Sequence, residues 1–227
     1  MFAPGLTGKN NKEGIANGLR TRLAIQYAVE GDLRYISHHD SLRLFERAMA
    51  RARIPVRYSE GFNPKPRMRI ALPRSVGVAS KDELLLVELT SDAPTSDVLQ
   101  SLKIEMPPGL ELLTVELLEQ DDRRLPREAW YTASVDGSAR EALTLAANRL
   151  LSQEHVPVQR SAPGEPEKSI DIRPYISTFE VGPDSVTWSQ KITPEGTARP
   201  GEVLEQLGLP SRDHLHHLCR TRVLYDR

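Results

Sequence analysis

"TRLAIQYAVEG", residues Thr21 to Gly31, alternates apolar and polar side chains and stops at a glycine. Leu23, Ile25, Tyr27 and Val29 fall on one face, the period of a half-buried strand. Downstream, "SHHDSLRLFERAMARAR" (Ser37 to Arg53) changes period to that of a helix. Ser37 suits the N-cap, Asp40 three residues on completes a capping-box pair, and Pro55 ends the segment. Leu42, Phe45, Met49 and Ala52 form its inner stripe, while Arg43, Arg47 and Arg51 recur every fourth residue on the opposite side. "MRIALP" then places Met68, Ile70 and Leu72 on one strand face and Arg67 and Arg69 on the other. "ELLLVELT" (Glu83 to Thr90) reads as a buried strand, "TSDVLQSLKIEM" as a helix capped by Thr95 or Ser96, and "LELLTVELLE" as a further strand. The order is βαββαβ.

The second half repeats this grammar with extra strand material. "WYTASVD" (Trp130 to Asp136) is a strand, "SAREALTLAANRLLSQ" a helix with Leu143, Ala147 and Leu150 inward, and "VPVQRS" and "KSIDIRP" are strands joined over the loop Ala162 to Lys168. "ISTFEV", "SVTWSQKI" after a turn at Gly182 to Asp184, a helix "RPGEVLEQL" with Pro200 in its first turn, and a closing strand near "TRVLY" follow. The expectation is an α+β protein of two tandem ferredoxin-like (βαββαβ-type) subdomains with antiparallel sheets: a flexible N-terminal arm at 1–19, one subdomain at 20–120 and a second at 128–227. The duplication is one of pattern, without a repeat in the residues themselves.

The chain has 227 residues with 39% hydrophobic and 27% charged content, an ordinary globular composition that allows a packed core. The first nineteen residues lack the apolar core of a signal peptide, and no stretch has the length of a membrane span, so a cytoplasmic protein is expected. The single cysteine, Cys219, excludes an intrachain disulfide, an all-cysteine zinc site and an iron–sulfur cluster held by three or four cysteines of this chain. Net charge is −1, but Arg43 to Arg74 holds nine basic residues against two acidic ones. The basicity is concentrated there.

Within that segment, "YSEGFNPKPRMRIALP" (Tyr58 to Pro73) contains two aromatics, a glycine and three prolines beside its cations. Gly61 and Asn63 are the natural positive-φ positions, and the prolines hold the chain extended. Prolines remove amide donors, so this is no phosphate-cradling loop. Lys65, Arg67 and Arg69 recur every second residue and would share one face near Tyr58 and Phe62, cations beside stackable rings as in single-stranded RNA binding. The plainer alternative buries Phe62 in the core and leaves the arginines solvated.

"YISHHDSLRLFERAMARARIPVRYSEGFNPKPRMRIALPRSVGVASKDE", with "DIRP" (Asp171 to Pro174) and "RPGEVL" (Arg199 to Leu204), resembles the bacterial radical-SAM-linked proteins over about Arg20 to Leu207. Its most specific residues are Ser37, His38 and Asp40; Tyr58, Ser59, Gly61, Phe62, Asn63, Pro64 and Pro66; and Gly77, Ser80 and Glu83. The chain departs from the pattern at Glu60, where glutamine is expected, and at Lys65, where relatives often carry histidine. The second departure argues against a proton-transfer role at that position. The resemblance implies a partner more than a reaction: a cobalamin-binding-type radical SAM protein encoded beside or fused to members of the family, often near genes for an E/G-type ribonuclease and ribosomal proteins.

Chemistry-bearing clusters have competing readings. His38 and Asp40 would serve as general acid and base, but helix capping explains Ser37 and Asp40, and the adjacent His38 and His39 point about 100° apart on a helix. His214, His216, His217 and Cys219 are the metal-like set, with spacings that match no closed zinc pattern. Asp171 and Arg173, two apart on a strand, would pair or grip a substrate. No cofactor motif appears. Three functions follow. The first is a non-catalytic accessory of a radical SAM enzyme, binding RNA or a ribonucleoprotein through Arg43, Arg47, Arg51, Tyr58, Phe62, Asn63, Lys65, Arg67 and Arg69. The others are an RNA-processing or RNA-modifying enzyme using His38 and Asp40, and a protein–protein adaptor docking through the Phe62 loop.

Overall fold

Thr21–Val29 forms strand β1, with Leu23, Ile25, Tyr27 and Val29 buried. The computed structural model describes residues 21–226 apart from 120, 162, 163 and 165, so the expected arm at 1–19 lies outside the described residues. A 3₁₀ turn, Gly31–Tyr35, leads to α1, His38–Arg51, then β2 (Met68–Ile70), β3 (Ala79–Leu89), α2 (Thr95–Ile104) and β4 (Leu110–Leu118). Next come β5 (Pro126–Ser134), α3 (Arg140–Ser152), β6 (Pro157–Arg160), β7 (Lys168–Asp171), β8 (Ile176–Val181) and β9 (Ser185–Lys191), and the chain closes with α4 (Pro200–Gln206), α5 (Ser211–His214) and β10 (Leu218–Tyr225).

The architecture is mixed α+β with two sheets. The larger has eight strands in the order β4-β1-β3-β10-β5-β9-β8, with β2 beside β3, and β6 and β7 pair apart as a ribbon. The expectation of two antiparallel sheets is corrected here, because β10 pairs with β3 in parallel and makes the large sheet continuous and mixed. That ladder has only two residue pairs, Cys219↔Ala79 and Arg220↔Ser80, and side chains reinforce it. The Val223 amide donates to Asp82 Oδ2 at 2.7 Å, and the Ser80 hydroxyl donates to the Arg220 carbonyl at 3.2 Å. Backbone pairing alone would hold the halves weakly.

The helices share one face. Phe45, Ala48 and Met49 of α1 and Val98 and Leu102 of α2 cover Leu23, Ile25, Leu85, Val87 and Leu112, with the Phe45 ring edge-on to Tyr27 at 4.9 Å. Leu143, Ala147 and Leu150 of α3, as expected, and Val203 and Leu204 of α4 cover Tyr131, Val186 and Trp188. Arg220 is the register partner of Ser80 on one side and Tyr131 on the other, which aligns the two inner faces.

Residues 121–125 strap across the opposite face. Arg69 donates to the Arg123 carbonyl, and Arg124 donates to Glu116 and Asp122, each at 2.8 Å. A small apolar cluster, Ala24, Leu84, Leu86 and Leu118, lies on that face.

Two local expectations change. Pro94, not Thr95 or Ser96, occupies the N-cap of α2, and no side chain caps it. The strand expected over "MRIALP" is only three residues long, because the Leu72 carbonyl turns to accept a 2.8 Å bond from Arg220 rather than extending the ladder.

Candidate nucleic-acid interface

The segment after α1 folds back as a hairpin. Ile54 N donates to Met49 O at 3.0 Å and Arg53 takes φ 55°, a Schellman-type ending with arginine where glycine is usual. Val56 bridges Leu89, and Arg57 N donates to Glu88 O at 2.8 Å, which lays the outgoing arm along the end of β3. Tyr58 pairs with Pro66, Ser59 N donates to Lys65 O at 2.8 Å, and Lys65 N donates to Ser59 Oγ at 2.9 Å. At the tip, Gly61 takes φ 120° and Phe62 is 104% exposed. Asn63 does not take the positive φ expected of it; among the described residues only Arg53 and Arg124 do so without being glycine.

Beside this hairpin, on the face away from the helices, lies a cleft of about 410 Å³. Arg22 of β1, Lys65, Arg67 and Arg69 line it with one carboxylate, Glu88, over a floor that includes Pro66, Met68, Leu86 and Val87. Met68 pairs with Val87 and packs toward α1, so the alternation turns Arg69 outward. Burial and then repulsion from Arg22 hold the Arg69 guanidinium below its usual pKa. Like charges gathered with one opposing acid favour an anion.

The basic stretch from Arg43 to Arg74 does not make one face. Lys65, Arg67 and Arg69 line the cleft, whereas Tyr58 lines a separate groove against Glu46, Met49 and Ala50 of α1. A helix and a sheet layer therefore separate Arg43 and Arg47 from the cleft, and Tyr58 is not interleaved with its cations. Arg51 is held at 2.5 Å by Glu105, and Arg43 lies 3.6 Å from Asp40. Arg74 turns inward and donates to the carbonyls of Leu33, Arg34 and Val78, clasping the 3₁₀ turn to the start of β3; burial lowers its pKa.

His38 and Asp40 are not brought together as a pair. Ser37 Oγ accepts from Asp40 N at 3.1 Å and donates to Asp40 Oδ2 at 2.7 Å, completing the helix cap. His38 instead borders a small cavity with Tyr27, Ser41, Arg74 and Glu83; its Nδ1 is buried without a protein partner. Burial and then His39 lower its pKa.

The metal-like set also separates. His216 and His217 rings lie 3.9 Å apart, but His214 Nδ1 lies 2.9 Å from the Pro210 carbonyl and the Cys219 Sγ lies 3.7 Å from the Arg220 carbonyl. Among the described residues no three His, Cys, Asp or Glu side chains converge as metal ligands.

Asp171 and Arg173 do not pair through their side chains. Asp171 accepts from the amides of Val156 and Arg173 at 2.8 and 3.0 Å and has His155 Nδ1 at 2.8 Å, while the Arg173 guanidinium binds the carbonyls of Leu151, Gln153 and Ile176. The "DIRP" motif joins the end of α3 to the start of β8.

Sequence reasoning missed Arg22, which reaches the cleft from β1, and Arg220, which lies beneath the junction. Glu83 carried a signal for Arg220, since it shares the buried face of β3 with Leu85 and Val87 and so required a cation.

The chain belongs to the family described as "Uncharacterized protein conserved in bacteria (DUF2344)", whose model matches residues 22–202. No curated protein matches it. Among solved structures, a crystal structure of an unknown protein from Galdieria sulphuraria is 12% identical, with 76% of this chain and 81% of that chain covered and a TM-score of 0.28. Among the described residues no helix is long and apolar enough to cross a membrane.

Proposed function

We propose that this chain is a non-catalytic RNA-binding accessory protein. Arg22, Lys65, Arg67 and Arg69 grip the phosphates of a single strand in the cleft, and Phe62 at the hairpin tip stacks on a base. The observation that carries this reading is the cleft itself, four cations against Glu88 in a space of about 410 Å³. Phosphate neutralisation supplies most of the affinity in such sites, and a stacked base adds about 1–3 kcal/mol. The cleft suits an extended strand because Lys65, Arg67 and Arg69 follow one another along the returning arm of the hairpin.

The finer fold in this proposal is a fused pair of ferredoxin-like units, β4-β1-β3-β2 and β10-β5-β9-β8, with the β6–β7 ribbon inserted before β8. A cytoplasmic location and service to a cobalamin-binding-type radical SAM protein belong to the same proposal; the resemblance of the Ser37 to Glu83 segment supports the partner. The exposed Phe62 also supports a second reading, in which the tip enters a pocket of that partner.

The test is a salt titration of binding to fluorescein-labelled oligouridine. Wild type should bind with a steep salt slope, and the Lys65→Ala/Arg67→Ala variant should lower that slope by about 1.4, roughly 0.7 for each phosphate no longer neutralised. Equal slopes for the two proteins would sink the proposal.

A further inference from the structure

The groove on the other side of the hairpin is chemically distinct from the cleft. It has a volume of about 120 Å³ between the C-terminal half of α1 and the hairpin, and Met49, Ile54, Val56 and Met68 make it aliphatic. Tyr58, 45% exposed, stands at its rim. Glu46 is the one acid in its lining. Ala50 also lines it, and Arg47 is the i−3 neighbour of Ala50 on the exposed surface of α1. Arg53 follows within one turn, immediately before Ile54. The Arg47 and Arg53 side chains are exposed and make no hydrogen bond or ion pair among the described residues. Arg53 also stands in a left-handed conformation that glycine would adopt without strain.

From this combination we infer that the groove between α1 and the hairpin docks an acidic protein segment, with an apolar side chain seated in the aliphatic pocket and carboxylates on Arg47 and Arg53. A nucleobase has little to gain there, because the walls are aliphatic and Tyr58 is the only aromatic ring lining the pocket. A leucine or phenylalanine side chain suits the volume, and the cations select an acidic neighbourhood around it. This surface lies across the sheet from the cleft, so a protein and a nucleic acid would occupy opposite faces of the first half of the chain.

The test uses a displayed library of random peptides, selected on the full chain and counter-selected on an Ala50→Trp/Arg47→Glu variant, which fills the groove and reverses one charge. Both substitutions sit on the exposed surface of α1, and circular dichroism checks the fold. Enriched peptides should be net acidic with a bulky apolar residue. When synthesised with a fluorescent label, they should bind Arg47→Glu about tenfold more weakly than wild type, a loss of about 1.4 kcal/mol, and bind Lys65→Ala/Arg67→Ala unchanged. Enrichment of neutral or basic peptides, or no enrichment, would overturn the inference. So would oligouridine binding that falls with Arg47→Glu but not with Lys65→Ala/Arg67→Ala, since that would place the nucleic acid on this face. The RNA proposal can fail in the salt titration without affecting this outcome.

Discussion

Arg220 of β10 and Glu83 of β3 form an ion pair across the seam between the two halves of the sheet, with Arg220 Nε and Nη2 3.0 and 2.5 Å from Glu83 Oε1. The residues are 1% and 2% exposed. Arg220 Nη2 also donates to the Leu72 carbonyl, so the guanidinium ties three segments together. Burial works against the arginine's charge, but Glu83 outweighs it and raises its pKa. Burial, and then Glu83, raises the pKa of the neighbouring Tyr27 and Tyr225 hydroxyls, which therefore stay neutral.

Removing either partner of that pair leaves a buried charge uncompensated. Glu83→Gln and Arg220→Met should each cost about 3–5 kcal/mol in urea unfolding, and Glu83→Leu/Arg220→Met should recover much of the loss because no charge is then stranded. A loss below about 1 kcal/mol in the single variants, on the order of a surface pair, would contradict a structural role for the pair.

Arg53→Gly should raise stability by about 1 kcal/mol, since glycine takes the left-handed ending of α1 without a Cβ clash. The urea midpoint should rise with the m-value unchanged. If the groove docks an acidic segment, the same variant should bind the selected peptides more weakly while being more stable.

Ser37→Ala should cost about 1 kcal/mol through loss of the cap on α1. Asp40→Ala should fall in the same range and leave oligouridine affinity unaltered, because Asp40 binds Ser37 and Arg43 rather than lining the cleft. Loss of RNA affinity in Asp40→Ala, with the fold intact, would return Asp40 to the functional surface.

The Asp171 carboxyl is held below the ordinary aspartate value of 3.8 by the Val156 amide, then the His155 ring, with the Arg173 amide adding to it. A depressed folded-state pKa contributes stability above the unfolded value, and that contribution fades as pH falls through the folded one. Asp171→Asn should therefore be less stable than wild type at neutral pH, with the gap narrowing below about pH 4. A gap that stayed constant across the acid limb would assign the loss to packing instead.

The elements were largely legible because their signals are local. The alternation of Leu23 to Val29, the Ser37 cap and the inward Leu143, Ala147 and Leu150 depend on neighbours within one element. The joining of two sheets into one was not legible, since it rests on a two-pair parallel ladder and on Asp82 and Glu83 meeting residues more than a hundred positions away. The candidate site divided along the same line. The periodicity placed Lys65, Arg67 and Arg69 together, but the pairing of Tyr58 with Pro66 turns that ring toward α1, a consequence of hairpin register that no spacing of basic residues reveals. The arginine count overstated the available charge, because Glu105 holds Arg51 and Arg74 turns inward onto backbone carbonyls.

RNA binding in the cleft is best tested by backbone amide chemical-shift mapping of the isotopically labelled chain during titration with oligouridine. Shifts should concentrate at Arg22, Ser59, Glu88 and the returning arm from Lys65 to Arg69, with the exposed face of α1 around Arg47 quiet. Shifts confined to the α1 face, or none at saturating RNA, would contradict binding in the cleft.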